Sequence, residues 1–476
     1  MNMIALALAG NEFARVFFEN NITDKFDAKD EVSKEDLKRK ATETQNCILE
    51  HYLFDILERK FNSYDAFDKK YPGFGSLLPW FMVSDEGADP TPDWKNRVPS
   101  LDNGQLIWAL IALENVLLHH MKNAKEDQLL DKSIQLAQRI HNKIEFVRKT
   151  VMVMFYEQKG RVRCIATIKD VNGSPLNRSN YTRVGKGILD DSYEGEMMHV
   201  FMDLLGDWEF LKYDLSERDK LWQVKSYKLK KVLYPSKLYG NIPVEEGYWY
   251  SSHEKWKYLI LPFKDSSINW RVFLNGERVR LINSIENSIP GLLASVTKPT
   301  TFNRYTPKYA SECGIPAISK QGIIYTNIVT PYASFPTILA NLNVGLSWYL
   351  NMIKGSRMQG IFGTTESIDI DGKKICPVLT WDSKITTLVA MCGGVVPYTS
   401  NYMKEYGLYE RFIEIINREW SRVFGDGSLN GEEISFESLM PNPIPKGIRE
   451  FTVPAEYHIV KENDCAVSNG KKRKID

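Results

Sequence analysis

Asp191-Ser-Tyr-Glu-Gly-Glu-Met-Met-His-Val-Phe-Met-Asp-Leu-Leu-Gly206 leads acidic and aromatic residues directly into an amphipathic segment. From Met197 to Leu205 apolar residues recur at three- and four-residue spacing, which predicts a helix with a buried face. Glu194 and Glu196 stand at its start. A carboxyl group between Met and Tyr side chains loses hydration, so its protonated form is favoured, as a general acid requires. The helix dipole also favours acids at N-termini, so both glutamates have a purely structural explanation as well.

The composition limits the classes of protein and partner. The 476 residues form one large domain or two to three ordinary ones, and a hydrophobic content of 43% argues against a disordered chain. A net charge of +1 offers no basic track for nucleic acid. The 23 Tyr, 22 Phe and 11 Trp are more than a core alone usually needs, and flat rings suit the faces of sugars or bases. An aromatic-rich core is the alternative explanation.

Neither a metal site nor a membrane span is predicted. The six cysteines lack zinc-site spacing, and the adjacent His119 and His120 would point in different directions on a helix, so no cofactor is expected. No apolar run reaches the roughly 18 residues of a membrane span. The apolar start with Ala7-Leu8-Ala9 resembles a weak signal peptide without a basic beginning, which leaves both secretion and a cytoplasmic location open. Residues 463–476 are predicted to be a disordered tail, and the oligomeric state is undetermined.

Helical periodicity dominates the chain, with short strand-like stretches between the helices. Alternation predicts strands in residues 150–182 and 247–284, and Asn275-Gly276 in the second stretch signals a type I′ hairpin. No linker separates these stretches, so they are expected to be hairpins laid on one helical body. The predicted helices cover residues 33–62, 99–118, 131–149, about 20 residues after Ser334 with Pro336 in the first turn, and a segment that begins near Leu379.

Acidic residues recur where these helices begin or in the loops before them. Asp102 and Asp382 both stand at predicted helix starts, Asp382 next to Trp381. The helix dipole keeps such a carboxylate ionised, which suits a general base, and plain N-capping explains the same positions. If the helices formed a closed double ring, their loops would gather at one end. The acids concerned are Asp102, Glu196, Glu312, Glu366 and Asp382.

Five segments in a fixed order resemble the bacterial glycoamylase-like domain. The first two are Leu101-Asp-Asn-Gly-Gln-Leu106 and Glu196-Met-Met-His-Val-Phe-Met-Asp-Leu-Leu-Gly206. Downstream, Thr330-Pro-Tyr-Ala333, Gly360-Ile-Phe-Gly363 and Thr380-Trp-Asp-Ser-Lys-Ile385 are similar to later motifs of that domain. The group includes endo-β-1,2-glucanases of glycoside hydrolase families 144 and 162 and the transglycosylase domain of cyclic β-1,2-glucan synthases. The long loops and hairpins resemble the eukaryote-like glucanases most.

The resemblance implies a single mainly α catalytic domain over residues 1–476, an (α/α)6 barrel with small β-hairpin or sheet insertions. It implies an inverting β-glucan hydrolase in which Glu196 is the general acid. Asp382 would be the general base, drawing a proton from water through a substrate hydroxyl. The remaining residues would hold the glucan, the acids and Tyr332 through sugar hydroxyls and the tryptophans by stacking: Asp102, Glu194, Glu312, Tyr332, Glu366, Trp80, Trp94 and Trp381.

Two departures from the family pattern leave alternatives open. Ser383-Lys384 follows the base where the bacterial domain has Gln-Gly, and Met197 replaces an Arg or Tyr beside the acid. Glu194 is the alternative acid if the helix begins earlier. A transglycosylase on the same scaffold and a glycan-binding relative without catalysis are the other functions that the sequence allows.

Overall fold

The structure is a computed structural model of the chain that describes residues 1–19, 34–85, 87–123, 127–192, 196–299, 308–355, 358–360, 363–376 and 378–442. Glu194 and the tail at 463–476 therefore lie outside the described residues, and so do parts of two quoted motifs. In the first helix after the gap, side chains are described from Cys47 onward.

Helices make up most of the described chain. They are α1 Asn2–Leu8, α2 Glu12–Glu19, α3 Lys34–Lys70, α4 Ser100–Asn123, α5 Asp127–Phe155, α6 Glu196–Leu205, α7 Leu215–Ser226, α8 Lys257–Ile260, α9 Ser267–Glu286, α10 Phe335–Ala340, α11 Leu342–Ile353, α12 Trp381–Met391, α13 Val396–Glu405 and α14 Tyr409–Phe424. The mainly α class that the sequence predicts is thereby confirmed.

Six of the helices, α1, α4, α6, α8, α10 and α12, form a cycle of contacts. α1 packs on α4 and α4 on α6, while α8 packs on α10, α10 on α12 and α12 on α1. The step from α6 to α8 is made by an ion pair between Glu196 and Lys257. α5 covers α4 and α6 from outside, α9 and α11 cover α10, and α2 covers α1 and α12. α4, α6, α8 and α12, whose first turns carry Asp102, Glu196, Lys257 and Asp382, are thereby members of one cycle.

Helices of this cycle are buried where their sequence is apolar. All residues of α6 are buried, and in α1 the apolar run from Met3 to Leu8 is at most 5% exposed. The apolar N-terminus that resembles a weak signal peptide thus packs as a helix against α4 and α12. In α4, Ile107–Leu117 is buried throughout, as its nearly uniform apolar sequence predicts.

The strands are short and pair in small sheets. β3, β6 and β7 form one antiparallel three-stranded sheet, and the other strands pair as β1–β2, β4–β5, β8–β9, β10–β11, β12–β15 and β13–β14. Their bounds are β1 Phe81–Ser84, β2 Gly87–Pro90, β3 Arg97–Pro99, β4 Tyr156–Glu157, β5 Arg161–Val162, β6 Ile165–Ile168, β7 Tyr181–Arg183, β8 Lys231–Ser236, β9 Gly240–Glu245, β10 Val296–Thr297, β11 Tyr309–Ala310, β12 Ile328–Val329, β13 Gln359–Gly360, β14 Gly363–Thr364 and β15 Ile368–Asp369.

The predicted hairpin at Asn275-Gly276 is wrong, because α9 runs through both residues. The Ser266 side chain caps this helix by accepting a hydrogen bond from the Asn269 amide. Asn275 is buried, and its side-chain amide donates to the carbonyls of Pro243 and Asn430. The polar side chain of Asn275, which suggests a turn in the sequence, therefore makes contacts between α9 and its neighbours. Such tertiary contacts cannot be predicted from a local sequence pattern.

Two other segments differ from their predicted structure in length or class. Residues 151–155 are the last turn of α5, and strands in this stretch form only at β4 and β5, which pair around the predicted turn, and at β6 and β7. The helix after Ser334 is broken into α10 and α11 at Asn341, whose side chain caps α11 through the Val344 amide. A Cβ on Gly345 would lie 2.4 Å from the Ile338 nitrogen, so this glycine lets the two short helices fold back closely.

Gly104 allows α4 and α6 to cross near their first turns. A Cβ at this position would lie 2.8 Å from the Met198 backbone nitrogen. We expect Gly104→Ala to lower the free energy of unfolding by about 1–3 kcal/mol although alanine favours helices, because two backbones would have to separate. Thermal unfolding measures the effect. Gly322→Ala is the control, since a Cβ there meets nothing within 4 Å, and equal melting temperatures of both variants would contradict the prediction.

Candidate active site

Glu196 is the first residue of α6 and is only 3% exposed. Its Oε1 accepts a hydrogen bond of 2.6 Å from Lys257 Nζ, at the start of α8. Burial lowers the pKa of Lys257, but the charges of Glu196 and Glu245 outweigh this, and the net shift is upward. Glu196 is thus desolvated as the sequence predicts, yet its neighbour is an ammonium group rather than only apolar side chains.

Asp382 lies in the first turn of α12, with its side chain exposed. The helix dipole stabilises a carboxylate at this place. The hydroxyl of Thr380, the residue before the helix, donates a hydrogen bond to Glu366 and lies 2.9 Å from the Ser383 hydroxyl, from which it accepts. Lys384 Nζ donates to the Thr380 carbonyl at 3.1 Å. The first turn that carries Asp382 is therefore fixed from both sides.

Glu366 is a buried acid beside Asp382. Burial raises its pKa although hydrogen bonds from Thr380 and Ser383 oppose the shift, and the charge of Asp382 adds to it. With 3% of its surface exposed and one oxygen bound to Thr380, Glu366 supports the start of α12. Its predicted contact with a sugar hydroxyl stays a prediction.

Tyr332 connects the two acidic regions. Its hydroxyl accepts a hydrogen bond of 2.6 Å from the indole nitrogen of Trp256, the residue before Lys257. Burial raises the pKa of Tyr332 well above its usual value, and the charges of Asp382 and Glu366 contribute in the same direction. Glu196 thus lies beyond one end of the Trp256–Tyr332 pair, and Asp382 with Glu366 lies at the other.

Asp102 and two tryptophans form a third group. Asp102 stands in the first turn of α4, where Trp80 Nε1 donates to its Oδ2 at 2.9 Å. Trp80 and Trp94 stack on each other with ring centroids 5.0 Å apart, Trp80 directly before β1 and Trp94 shortly after β2. Trp80 remains 58% exposed, so this mutual stacking leaves part of its surface for a ligand.

Two neighbouring cavities adjoin these groups, although neither is lined by Glu196, Tyr332, Glu366, Asp382, Trp80 or Trp94. One of about 380 Å³ is lined by Asp102, Trp256 and Trp381, among others. The second, of about 530 Å³, runs between α3 and the β1–β2 hairpin, and both share Lys60 and Leu106 in their walls. Asp102 and Trp381 are thus brought together at one cavity, with Trp381 62% exposed.

Glu312 lies in the segment between β11 and β12. Its backbone carbonyl accepts hydrogen bonds from the amides of Ile324 and Tyr325, and the residue is partly exposed. It lines neither of the two cavities described above. Its role in substrate binding stays a prediction.

Three neighbours of the site were not singled out from the sequence. Trp256 and Lys257 bridge the two acidic regions, although nothing in the sequence around residue 250 distinguishes them from core aromatics and surface lysines. Lys384 stands out in the sequence only as a departure from the family pattern. Burial lowers its pKa, although the charges of Glu366 and Asp382 act in the opposite direction.

Carboxylates in different surroundings, with aromatic rings along an open cavity, suit acid–base chemistry on a carbohydrate. Within the described ranges no cluster of His, Cys, Asp and Glu is arranged to hold a metal ion. No described helix combines the length and apolar character that crossing a membrane demands.

Comparison with known proteins gives one family. The profile of the endo-beta-1,2-glucanase SGL family, glycoside hydrolase family 162, matches residues 1–455. No curated protein matches the chain. The structure is similar to the endo-beta-1,2-glucanase of Talaromyces funiculosus, solved with sophorose, with a TM-score of 0.81 and 34% identity over 93% of this chain and 82% of that one. A mutant of that enzyme in complex with beta-1,2-glucan gives the same values.

A match over nearly the whole described chain, together with identity above 30%, establishes the relationship. The chain belongs to the endo-beta-1,2-glucanase family 162 of the glycoside hydrolases, and it is a glycoside hydrolase.

Proposed function

We propose that this chain cleaves β-1,2-glucan at internal linkages with inversion of configuration. The observation that carries the proposal is the family match over residues 1–455, since it covers both Glu196 and Asp382. The related Talaromyces enzyme has been solved with beta-1,2-glucan and with sophorose, which supports an oligosaccharide of the same linkage as the substrate. An open cavity suits attack within a chain rather than only at its end.

We also propose that the helices form an (α/α)6 barrel and that the described chain is one domain. The cycle of contacts through α1, α4, α6, α8, α10 and α12 supports this arrangement. In such a barrel the first turns of these helices come together at one end. That end would hold Asp102, Glu196, Tyr332 and Asp382.

Glu196 is proposed as the general acid and Asp382 as the general base. A buried glutamate at a helix start and an exposed aspartate in another first turn meet the opposite requirements of the two roles. Inversion needs room for a water between them, about 6.5–9.5 Å, and a relay through a substrate hydroxyl allows a longer gap.

Trp381 is proposed to stack on a sugar ring. It is 62% exposed and lines the cavity that Asp102 borders. We expect Trp381→Ala to raise KM about 3- to 10-fold, the equivalent of roughly 0.5–1.5 kcal/mol, with a smaller change in kcat. Steady-state kinetics on linear β-1,2-glucan measure both constants. Tyr227→Ala, which also removes an exposed aromatic side chain, is the control; the fully buried Trp348 is unsuitable for this purpose. A KM of Trp381→Ala equal to that of this control would refute stacking.

The function is tested by incubating the chain with linear β-1,2-glucan and separating the products by chromatography. Oligosaccharides of several lengths at early times are the expected result, since internal cleavage cuts at many places. Release of one short product only would contradict endo action. Longer or cyclic products would instead indicate a transglycosylase, and tight binding without any product would indicate a non-catalytic relative.

A further inference from the structure

Lys257 and Glu196 form an ion pair that is shut off from solvent. Nζ and Oε1 are 2.6 Å apart, and the side chains are 3% and 4% exposed. Both residues are the first of their helices, α8 and α6. An unpaired ammonium in such surroundings is strongly disfavoured, and the negative charges that hold Lys257 there come from Glu196, Glu245 and Glu254.

Among the groups around Lys257, Glu196 is the carboxylate in direct contact with it, and the others are aromatic rings or more distant acids. The rings of Phe263 and Trp420 lie 5.0 Å from Nζ, and the ring of Tyr258 lies at 5.6 Å. Two further carboxylates act on Lys257 from a distance, and each has a bond elsewhere. Glu245 accepts from the Trp420 indole at 3.2 Å, and Glu254 accepts from the backbone amides of Trp249 and Tyr250.

We propose that Lys257 is a positioning residue for the general acid: its ammonium fixes the orientation of Glu196 and stabilises the carboxylate that forms when Glu196 gives up its proton. The inference rests on the proposed acid role of Glu196. During the reaction the proton passes to the leaving-group oxygen, directly or through a hydroxyl, while the bond from the anomeric carbon to that oxygen breaks. The negative charge left on Glu196 then lies 2.6 Å from a fixed cation.

This arrangement has a predictable pH dependence. A cation in contact with a carboxyl group favours its ionised form, so replacing Lys257 by a neutral residue has an expected direction of effect on the pH profile of the reaction. The titratable groups that act on the pair are Glu245, Glu254 and Tyr258. None of them is changed by a substitution of Lys257, so a shift in the pH profile would report on the pair itself.

We expect Lys257→Met to move the alkaline limb of the kcat/KM profile upward by about one pH unit or more. The same variant should lower kcat about 10- to 100-fold, because the acid is no longer held in place. KM should change less than kcat, since Lys257 is shut off from the cavity. Loss of a merely structural ion pair would lower the melting temperature without moving the limb.

Lys255→Met is the matched control. Lys255 is also buried, two residues earlier in the chain, and its Nζ lies 5.4 Å from the Tyr250 ring centroid instead of on Glu196. If Lys257→Met does not fold, Lys257→Arg supplies the comparison, because it keeps the charge and changes the geometry. That variant should lower kcat and leave the alkaline limb where it is in the unmodified enzyme.

An unchanged limb in Lys257→Met, the same shift in Lys255→Met, or an upward shift in Lys257→Arg would each overturn the inference. The failure of the proposed function is a different result, because the unmodified chain would then release no product from linear β-1,2-glucan. Cleavage by the unmodified chain with no response to Lys257 would disprove only the role of this lysine.

Discussion

Asp382→Asn should lower kcat/KM on linear β-1,2-glucan by about 10²- to 10⁴-fold, the range in which a general base contributes. The amide cannot accept a proton from water or from a hydroxyl that relays it. Because Asp382 is exposed in the first turn of α12, the substitution removes only a dipole interaction of about 0.3–1 kcal/mol, and the fold should persist. Initial rates measured on the purified variant, with its melting temperature, separate the two effects.

Asp371→Asn is the control for this variant. Asp371 is an exposed aspartate whose contact with Lys373 is loose, at 3.9 Å, so its removal should change neither rate nor stability. Retention of more than about a tenth of the activity in Asp382→Asn would be too much for a lost general base and would exclude Asp382 from that role.

Glu196→Gln should also lower kcat by about 10²- to 10⁴-fold, since the leaving group would depart without a proton. Here a loss of stability accompanies the loss of activity. Removing one partner of a buried ion pair typically costs about 3–5 kcal/mol, because the other charge remains buried without it. Rates must therefore be compared well below the melting temperature of the variant.

A second buried ion pair separates these two effects. Glu277 Oε2 accepts from Arg280 Nη1 at 2.7 Å, with 0% and 3% of the side chains exposed, on the outer helix α9. Glu277→Gln should lower the melting temperature comparably and retain activity in folded protein.

Glu194→Gln addresses the alternative acid. Loss of turnover in Glu194→Gln together with turnover in Glu196→Gln would move the acid role to Glu194.

The sequence predicted those parts of the fold that depend on a local pattern. α4 is apolar on nearly all sides and is buried, and the three- and four-residue spacing after Glu196 corresponds to α6. The family motifs led to the family that the whole-chain comparison establishes. The hairpin predicted at Asn275-Gly276 failed because its turn signal is overridden by tertiary contacts of α9.

The site could be predicted only in part for the same physical reason. Asp102 and Asp382 were placed at helix starts from spacing, and both are in first turns. Lys257 could not be found, because a lysine in a short helix 61 residues from Glu196 carries no sign that it is buried. The support that Thr380 and Glu366 give to α12 likewise depends on side chains brought together only by folding.

The anomeric form of the newly made reducing ends tests the assignment of Glu196 and Asp382 most directly. Linear β-1,2-glucan would be cleaved rapidly at a high enzyme concentration, and the new ends followed by proton NMR before mutarotation proceeds. The account predicts that the α-anomer appears first, because water attacks the face opposite the departing oxygen. First appearance of the β-anomer would mean a double displacement, and the roles of acid and base proposed for Glu196 and Asp382 would be contradicted.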